Sequence, residues 1–192
     1  LEKIGAYVEQ DDCLLATATV RETLHLAALL QLPDEKYTWD EKREVAEEVI
    51  RSMRLGRAAD TKVGSPADGI IGVSGGERKR TAIGIALVRS PLLLLLDEPT
   101  SGLDASSAYI VVNELATLAR QAPRRAVVAT IHQPPSDVFN LFDDLLILAD
   151  GRTIYHGPRA DVVDYFSQLG YQCPTYSNPA DFIFMRVLEP VG

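Results

Sequence analysis

The sequence predicts an α/β fold built on a mostly parallel, buried sheet, and three observations predict it. Residues 92–96 are five consecutive leucines, too few for a membrane span and too apolar for a one-sided strand, so they read as a strand buried on both faces. Stretches of helical periodicity separate this run from two other β-rich runs, at 4–8 and 126–131. The leucine run ends in Asp97-Glu98 and the 126–131 run in His132-Gln133, which puts polar groups at strand carboxyl ends, where parallel α/β sheets hold their ligands.

At 192 residues the chain is long enough for one sizeable core, or for one domain with an appendage. Its net charge of −8 argues against a nucleic-acid groove, because phosphates would be repelled over much of the surface. Cys13 and Cys173 lie far apart without metal-ligand spacing, so they read as reduced packing residues. Arg89 and Pro91 interrupt the best apolar stretch, so no run reaches the roughly 18 residues of a membrane helix. The chain opens inside a strand-like run without a signal-peptide pattern, which suggests a piece of a longer protein.

In chain order, 4–8 is a short strand followed by a polar loop, where the amide of Gln10 can offer oxygen to a cation and NH₂ to a phosphate or water. Residues 19–32 read as a helix with Val20, Leu24, Ala27 and Leu30 inward, ended by Pro33. A second helix, 39–55, turns Val45, Val49, Ile50 and Met53 inward, with Gly56 as its stop. A loop with Gly64, Pro66 and Gly69 leads to Ser74-Gly75-Gly76-Glu77, which opens a helix running to Val88. A serine cap, glycines that let a ligand approach, and N–H groups at the positive end of a helix dipole suit a phosphate; they equally suit an ordinary capped helix.

After the leucine strand, Ser101-Gly102-Leu103-Asp104 turns into a helix over about 105–120. The acids Asp97 and Glu98 are adjacent, so a chain leaving the sheet there can aim one at a metal and the other at a water; the same residues would also suit a helix start. Residues 145–149 and 152–155 flank Asp150-Gly151 as a hairpin. Residues 160–169 place Val162, Val163, Tyr165, Phe166 and Leu169 on one helix face, and a tail punctuated by Pro174, Pro179 and Pro190 is irregular except at 180–187.

The order of these motifs resembles the ATP-binding cassette of ABC transporters from Gln10 to His132. The runs VSGGERKRTAIG, Tyr7-Val8-Glu9-Gln10, Val20-Arg21-Glu22, Thr130-Ile131-His132-Gln133-Pro134, Tyr155-His156-Gly157-Pro158 and Asn178-Pro179-Ala180-Asp181-Phe182 resemble its G subfamily, the white and multidrug half-transporters. The resemblance implies a P-loop NTPase-type sheet with an inserted helical subdomain over about 14–72, the remaining ATPase core at 1–13 and 73–169, and an extension at 170–192 toward a membrane domain. It implies ATP and Mg²⁺ as ligands, with Asp97 holding the metal, Glu98 as the general base, Gln10 as sensor near the metal and His132 as the switch histidine. Ser74, Gly75, Gly76 and Glu77 would grip nucleotide bound to an opposite subunit, and Ser101 and Asp104 would lie at the dimer seam. The implied partners are a second nucleotide-binding domain and a transmembrane domain of the same chain, at the cytosolic face of a membrane.

No GxxxxGK[ST] occurs in these residues, so the P-loop strand and helix of the family have no counterpart here. Glu77 stands where the general family has glutamine, as is common in the G subfamily, and Met185 stands where the family more often has an acid. In the family a P-loop strand separates the counterparts of 127–131 and 145–147, so these two should either stand apart, leaving apolar surface beside Leu94 and Val128, or pair directly. The implied activity is ATP hydrolysis powering export of lipids or lipophilic compounds. The alternatives are a soluble ABC ATPase and a catalytically dead binding module.

Overall fold

The computed structural model describes residues 4–175 and 177–188, in two compact units, Leu1–Ile131 and His132–Gly192. Pro190 lies outside the described residues.

The first unit is a three-stranded parallel sheet with helices. Its strands are β1 (Gly5–Val8), β2 (Leu93–Leu96) and β3 (Ala126–Ala129), in the order β1-β2-β3. The register pairs Tyr7, Leu95 and Val128 in one row and Val8, Leu96 and Ala129 in the next. Because side chains alternate along a strand, each row belongs to one face. Ala6, Val8, Leu94, Leu96, Val127 and Ala129 join the hydrophobic core, with Leu94 at 0 % exposure. On the other face Leu93 and Leu95 are half-buried, while Tyr7 and Val128 are 56 % and 57 % exposed. The expectation of a strand buried on both faces is therefore corrected: among the described residues the helices cover one face only. Val128 is exposed, whereas Leu94 is sealed in.

Three helices of this unit begin with the same device. α1 (Val20–Gln31), α2 (Trp39–Ser52) and α3 (Gly75–Leu87) open with capping boxes formed by Thr19 and Glu22, Thr38 and Glu41, and Ser74 and Glu77. In each, the hydroxyl accepts the N3 backbone N–H and the glutamate accepts the cap's own N–H, which satisfies two orphan donors. α3 meets α1 and α2 closely at Gly84, where a Cβ would come within 3.0 Å of Leu24 and 3.1 Å of Val49. α4 (Ala105–Arg120) is capped by Asp104, which accepts from the Ser107 backbone N–H at 3.0 Å.

Two helix assignments shift. Leu30 is 77 % exposed, because the buried stripe of α1 runs through Val20, Leu24, Ala27 and Ala28 and leaves Leu30 beside it. α2 stops before Gly56: Arg54 takes the left-handed conformation at φ 51°, Leu55 N–H bonds Ile50 O at 2.9 Å and Arg54 N–H bonds Arg51 O at 3.1 Å. This is a Schellman ending closed without glycine, and buried Leu55 supplies its hydrophobic contact.

The second unit holds α5 (Ser136–Phe139), the antiparallel hairpin β4 (Asp144–Ala149) and β5 (Arg152–Pro158), α6 (Val162–Gln168) and α7 (Pro179–Phe182), which continues as π-helical turns over Ile183–Leu188. Asp150 and Gly151 both have positive φ, 48° and 72°, as the two-residue turn requires. Phe139, Tyr155, Val162, Phe166, Phe182 and Ile183 form its core, and half-buried Cys173 packs against it. Tyr165 and Leu169 are 40 % and 59 % exposed, so the inward face of α6 is narrower than the periodicity predicts. Cys13, read as a packing residue, is exposed. Among the described residues β3 pairs with β2, and β4 pairs with β5.

Candidate functional site

The carboxyl end of β2 gathers the polar residues of the first unit. Asp97 follows Leu95 on the open face, where its carboxylate accepts the Thr130 hydroxyl at 2.6 Å and the Tyr7 hydroxyl at 3.1 Å. Desolvation and then the Asp97 carboxylate push the Tyr7 phenol above its ordinary value. Glu98 leaves the strand with φ 39°, a left-handed conformation that is strained for a residue with a Cβ. That turn gives the adjacent acids different partners. The Gln10 amide donates to Glu98 Oε2 at 2.9 Å and lies 3.4 Å from the Ser101 hydroxyl. Thr130 ties the two acids together, since its hydroxyl also accepts the Glu98 backbone N–H at 2.8 Å.

A second group forms at the start of α3. Ser74 turns its hydroxyl to its own helix, donating to Glu77 Oε2 at 2.8 Å. Gly75 and Gly76 pack beside the next turn: a Cβ on Gly75 would lie 3.3 Å from Leu103, and one on Gly76 would lie 3.2 Å from Ser107. Hydrogen bonds from the Ser107 backbone and hydroxyl hold the Asp104 carboxyl below its ordinary range. Among the described residues Ser74 to Glu77 make no hydrogen bond to Gln10, Asp97 or Glu98. The link between the groups runs instead through Lys79, whose ammonium lies 2.7 Å from both Gln10 O and Asp12 Oδ1.

On the same helix Arg80 is 8 % exposed, and burial lowers its guanidinium below the usual value. Buried Glu114 of α4 faces Arg54 across 2.9 Å, an ion pair off the hydrogen-bonding direction. In the second unit His132 meets the Phe184 ring edge-on, with centroids 5.8 Å apart.

The structure thus brings Gln10, Asp97, Glu98 and Ser101 together, and places Ser74, Gly75, Gly76 and Glu77 beside Asp104's turn. Sequence reasoning assigned no separate role to Tyr7, Asp12, Lys79 or Thr130. Thr130 carried a usable signal: it is a hydroxyl near the carboxyl end of a β-rich run, just past the strand that neighbours the acids.

Arranged in this way, two carboxylates, an amide and a hydroxyl at a strand end can orient a water and a cation. Among the described residues no group of three or more His, Cys, Asp or Glu could hold a metal by itself. A donor set of two carboxylates beside an amide oxygen is of the kind that Mg²⁺ takes, its shell otherwise filled from phosphate and water. No helix among the described residues is long and apolar enough to cross a membrane.

Residues 1–101 match the family described as ABC transporter, and residues 132–192 match one described as ABC-2 type transporter. The chain is 45% identical over 181 residues to ABC transporter G family member 1 of Dictyostelium discoideum, covering 94% of this chain and 22% of that protein. It is 47% identical over 185 residues to the broad substrate specificity ATP-binding cassette transporter ABCG2 of Sus scrofa, covering 96% of this chain and 27% of the relative. With ATP-binding cassette sub-family G member 8 of Rattus norvegicus the identity is 45% over 95% of this chain and 26% of the relative. The chain therefore spans about a quarter of the length of these relatives. In fold it is similar to the ATP-binding cassette MJ0796, solved as a dimer in a post-hydrolysis state with ADP and Pi, at a TM-score of 0.63 and 24% identity, covering 82% of this chain and 64% of that one. The chain belongs to the ABC transporter family, as part of a nucleotide-binding domain of the G type.

Proposed function

We propose that this chain is the C-terminal two-thirds of a nucleotide-binding domain that hydrolyses ATP to power export of lipids or lipophilic compounds, the substrate class the G-type resemblance implies. The observation that carries the reading is the Gln10–Glu98 hydrogen bond of 2.9 Å beside Asp97, at the carboxyl end of the central parallel strand. In this reading Glu98 polarises the attacking water, Gln10 senses occupancy, and His132 serves as the switch that reads the γ-phosphate. Asp97, with Gln10, would hold Mg²⁺, which would supply charge neutralisation on the phosphates. Phosphoryl transfer asks for positioning and charge stabilisation rather than a covalent nucleophile; Glu98 and Gln10 contribute the positioning of the water, and the metal would contribute charge stabilisation.

Ser74, Gly75, Gly76 and Glu77 act on nucleotide held by a second nucleotide-binding domain, with Ser101 and Asp104 at the seam. The Ser74–Glu77 capping box holds the motif in register while the α3 N-terminus faces the anion. Residues 14–72 form the mostly helical subdomain, 1–13 and 73–169 the ATPase core, and 170–192 lead toward a transmembrane domain of the same chain, at the cytosolic face. Without a GxxxxGK[ST] loop, these residues alone have nothing to hold the α- and β-phosphates in line, so they do not hydrolyse ATP by themselves.

The test uses the complete protein that carries this chain. Glu98→Gln removes the base and keeps the size, so turnover should fall at least roughly a hundredfold while nucleotide stays trapped. Parental turnover in that variant would remove Glu98 from the mechanism, and Glu98-dependent hydrolysis by residues 1–192 alone would sink the incomplete-site reading.

A further inference from the structure

Lys79 is the fifth residue of α3, the helix that Ser74 caps, and its side chain runs inward rather than to water. Its side chain is 4 % exposed and that of its partner Asp12 is 10 % exposed. The ammonium holds Gln10 O and Asp12 Oδ1 at 2.7 Å each. The preceding residue, Arg78, donates to Asp12 O at 3.3 Å and to Gly64 O. The loop after β1 is thus fastened to one turn of α3 at three acceptors, two on Asp12 and one on Gln10. The Gln10 side chain projects from the fastened backbone to Glu98 at 2.9 Å.

A buried ion pair is an inefficient way to gain stability, because both charges lose water and an apolar pair of similar volume would pack as well. What it gains is geometry. An ammonium is a compact charge with three donors, and it can serve a carbonyl and a carboxylate at once, whereas a planar guanidinium asks for a fork of acceptors.

We propose that Lys79 is a positioning residue for hydrolysis: by clamping Gln10 O and the Asp12 carboxylate it sets the reach of the Gln10 amide to Glu98 and ties the helix of the Ser74-Gly75-Gly76 turn to that amide. This rests on the function proposed above. Displacement of the first turn of α3 then pulls on the Gln10 backbone, so events at the glycine turn are felt at the base.

The experiment compares the complete protein with its Lys79→Met, Gln10→Ala, Lys79→Met/Gln10→Ala and Lys79→Met/Asp12→Asn variants, by ATPase kinetics and by hydrogen exchange of peptides covering residues 9–14. Lys79→Met should lower kcat roughly ten- to hundredfold with KM for ATP within about twofold, the scale of a small misplacement of a catalytic group. Exchange at 9–14 should quicken while peptides of α4 stay unchanged. The Asp12→Asn double variant removes both buried charges, so it keeps the fold even if Lys79→Met alone does not, and it should show the same loss of kcat. In the Gln10→Ala background Lys79→Met should cost almost nothing further, because the clamp acts through that amide.

Unchanged exchange at 9–14 in both Lys79→Met and Lys79→Met/Asp12→Asn overturns the clamp, whatever the ATPase shows. A full Lys79→Met penalty persisting in Gln10→Ala overturns its action through Gln10. Absence of any Glu98-dependent turnover in the unaltered protein overturns the function proposed above, while the exchange measurement still decides whether Lys79 orders the loop.

Discussion

The two faces of the three-stranded sheet carry the same kinds of residue and do different work. Both are lined by aliphatic side chains from the same strands, yet Leu94 and Leu96 vanish beneath the helices while Leu93 and Leu95 stay half-buried and Val128 is exposed. The open face is the one on which Tyr7 and Thr130 converge on Asp97. Covering buys stability on one side, and on the other the polar groups remain within reach of a ligand. The lesson is that apolar composition in a strand does not say which face is sealed; helix placement does.

The largest test of this contrast is a pair of truncations. Leu94→Ala should destabilise the first unit by about 3 kcal/mol, the range for a fully buried leucine that leaves a cavity, while Leu95→Ala costs about 1 kcal/mol. Equal midpoint shifts in urea unfolding would erase the distinction between the faces. Next comes Thr130→Val, which keeps the shape but removes a donor to Asp97 and an acceptor for the Glu98 N–H, at a cost of about 2 kcal/mol. It should also release Asp97 and Glu98 from their fixed relation, so the complete protein loses turnover as well; wild-type turnover would make the threonine purely structural.

A smaller effect separates structure from function among the three capping boxes. Thr19→Ala, Thr38→Ala and Ser74→Ala should each cost about 1 kcal/mol, since the same hydrogen bonds are lost. Only the Ser74 variant should reduce ATP turnover in the complete protein. If Thr38→Ala reduced it as much, the loss would reflect helix stability alone.

The smallest effect is acidic. Backbone and side-chain hydrogen bonds from Thr19 and Thr38 lower Glu22 and Glu41 below their ordinary range, and Arg21 does the same for Glu47 and Asp60. Their pKa values fall on folding, so their contribution is present above the unfolded carboxylate pKa of about 4 and is lost as pH drops through the lower folded values. Helicity followed by circular dichroism should decline below about pH 4, with α1 and α2 fraying first. A flat profile down to pH 2 would mean that the caps hold without charge.

Much of the fold was legible because local chemistry marks it. The Ser74 cap announces α3, apolar periodicity announces α1 and α2, and Asp150-Gly151 announces the hairpin, while the Thr–Glu caps of α1 and α2 emerge with the structure. Asp97, Glu98 and Gln10 were legible as site candidates from their place at strand ends. Leu30, the open sheet face and the end of α2 were not. Leu30 lies beside the buried stripe, and a hydrophobic period does not fix the width of that stripe. The open face depends on which strands the helices cover, a tertiary fact. Arg54 closes α2 although glycine is the usual choice, and its side chain goes on to meet Glu114. Lys79 looked like one basic residue in a charged run, and only three-dimensional packing shows it turned inward to Asp12.

The register of the sheet also sets an order of assembly. Leu93 pairs with Ala126 across one helix, α4, whereas Gly5 pairs with Leu93 only after the whole segment carrying α1, α2 and α3 has been looped out. Closing the longer loop costs more chain entropy, and parallel pairings of distant segments are slow to form. The β2–α4–β3 piece should therefore collapse first, the capped helices α1 and α2 should pair by their own short-range contacts, and β1 should dock last. Gln10 rides at the end of that last strand, so the bond between its amide and Glu98 is completed only when the slowest pairing is in place. A folding experiment should see α4 protected from exchange before β1, and the candidate site should become competent with the slower phase.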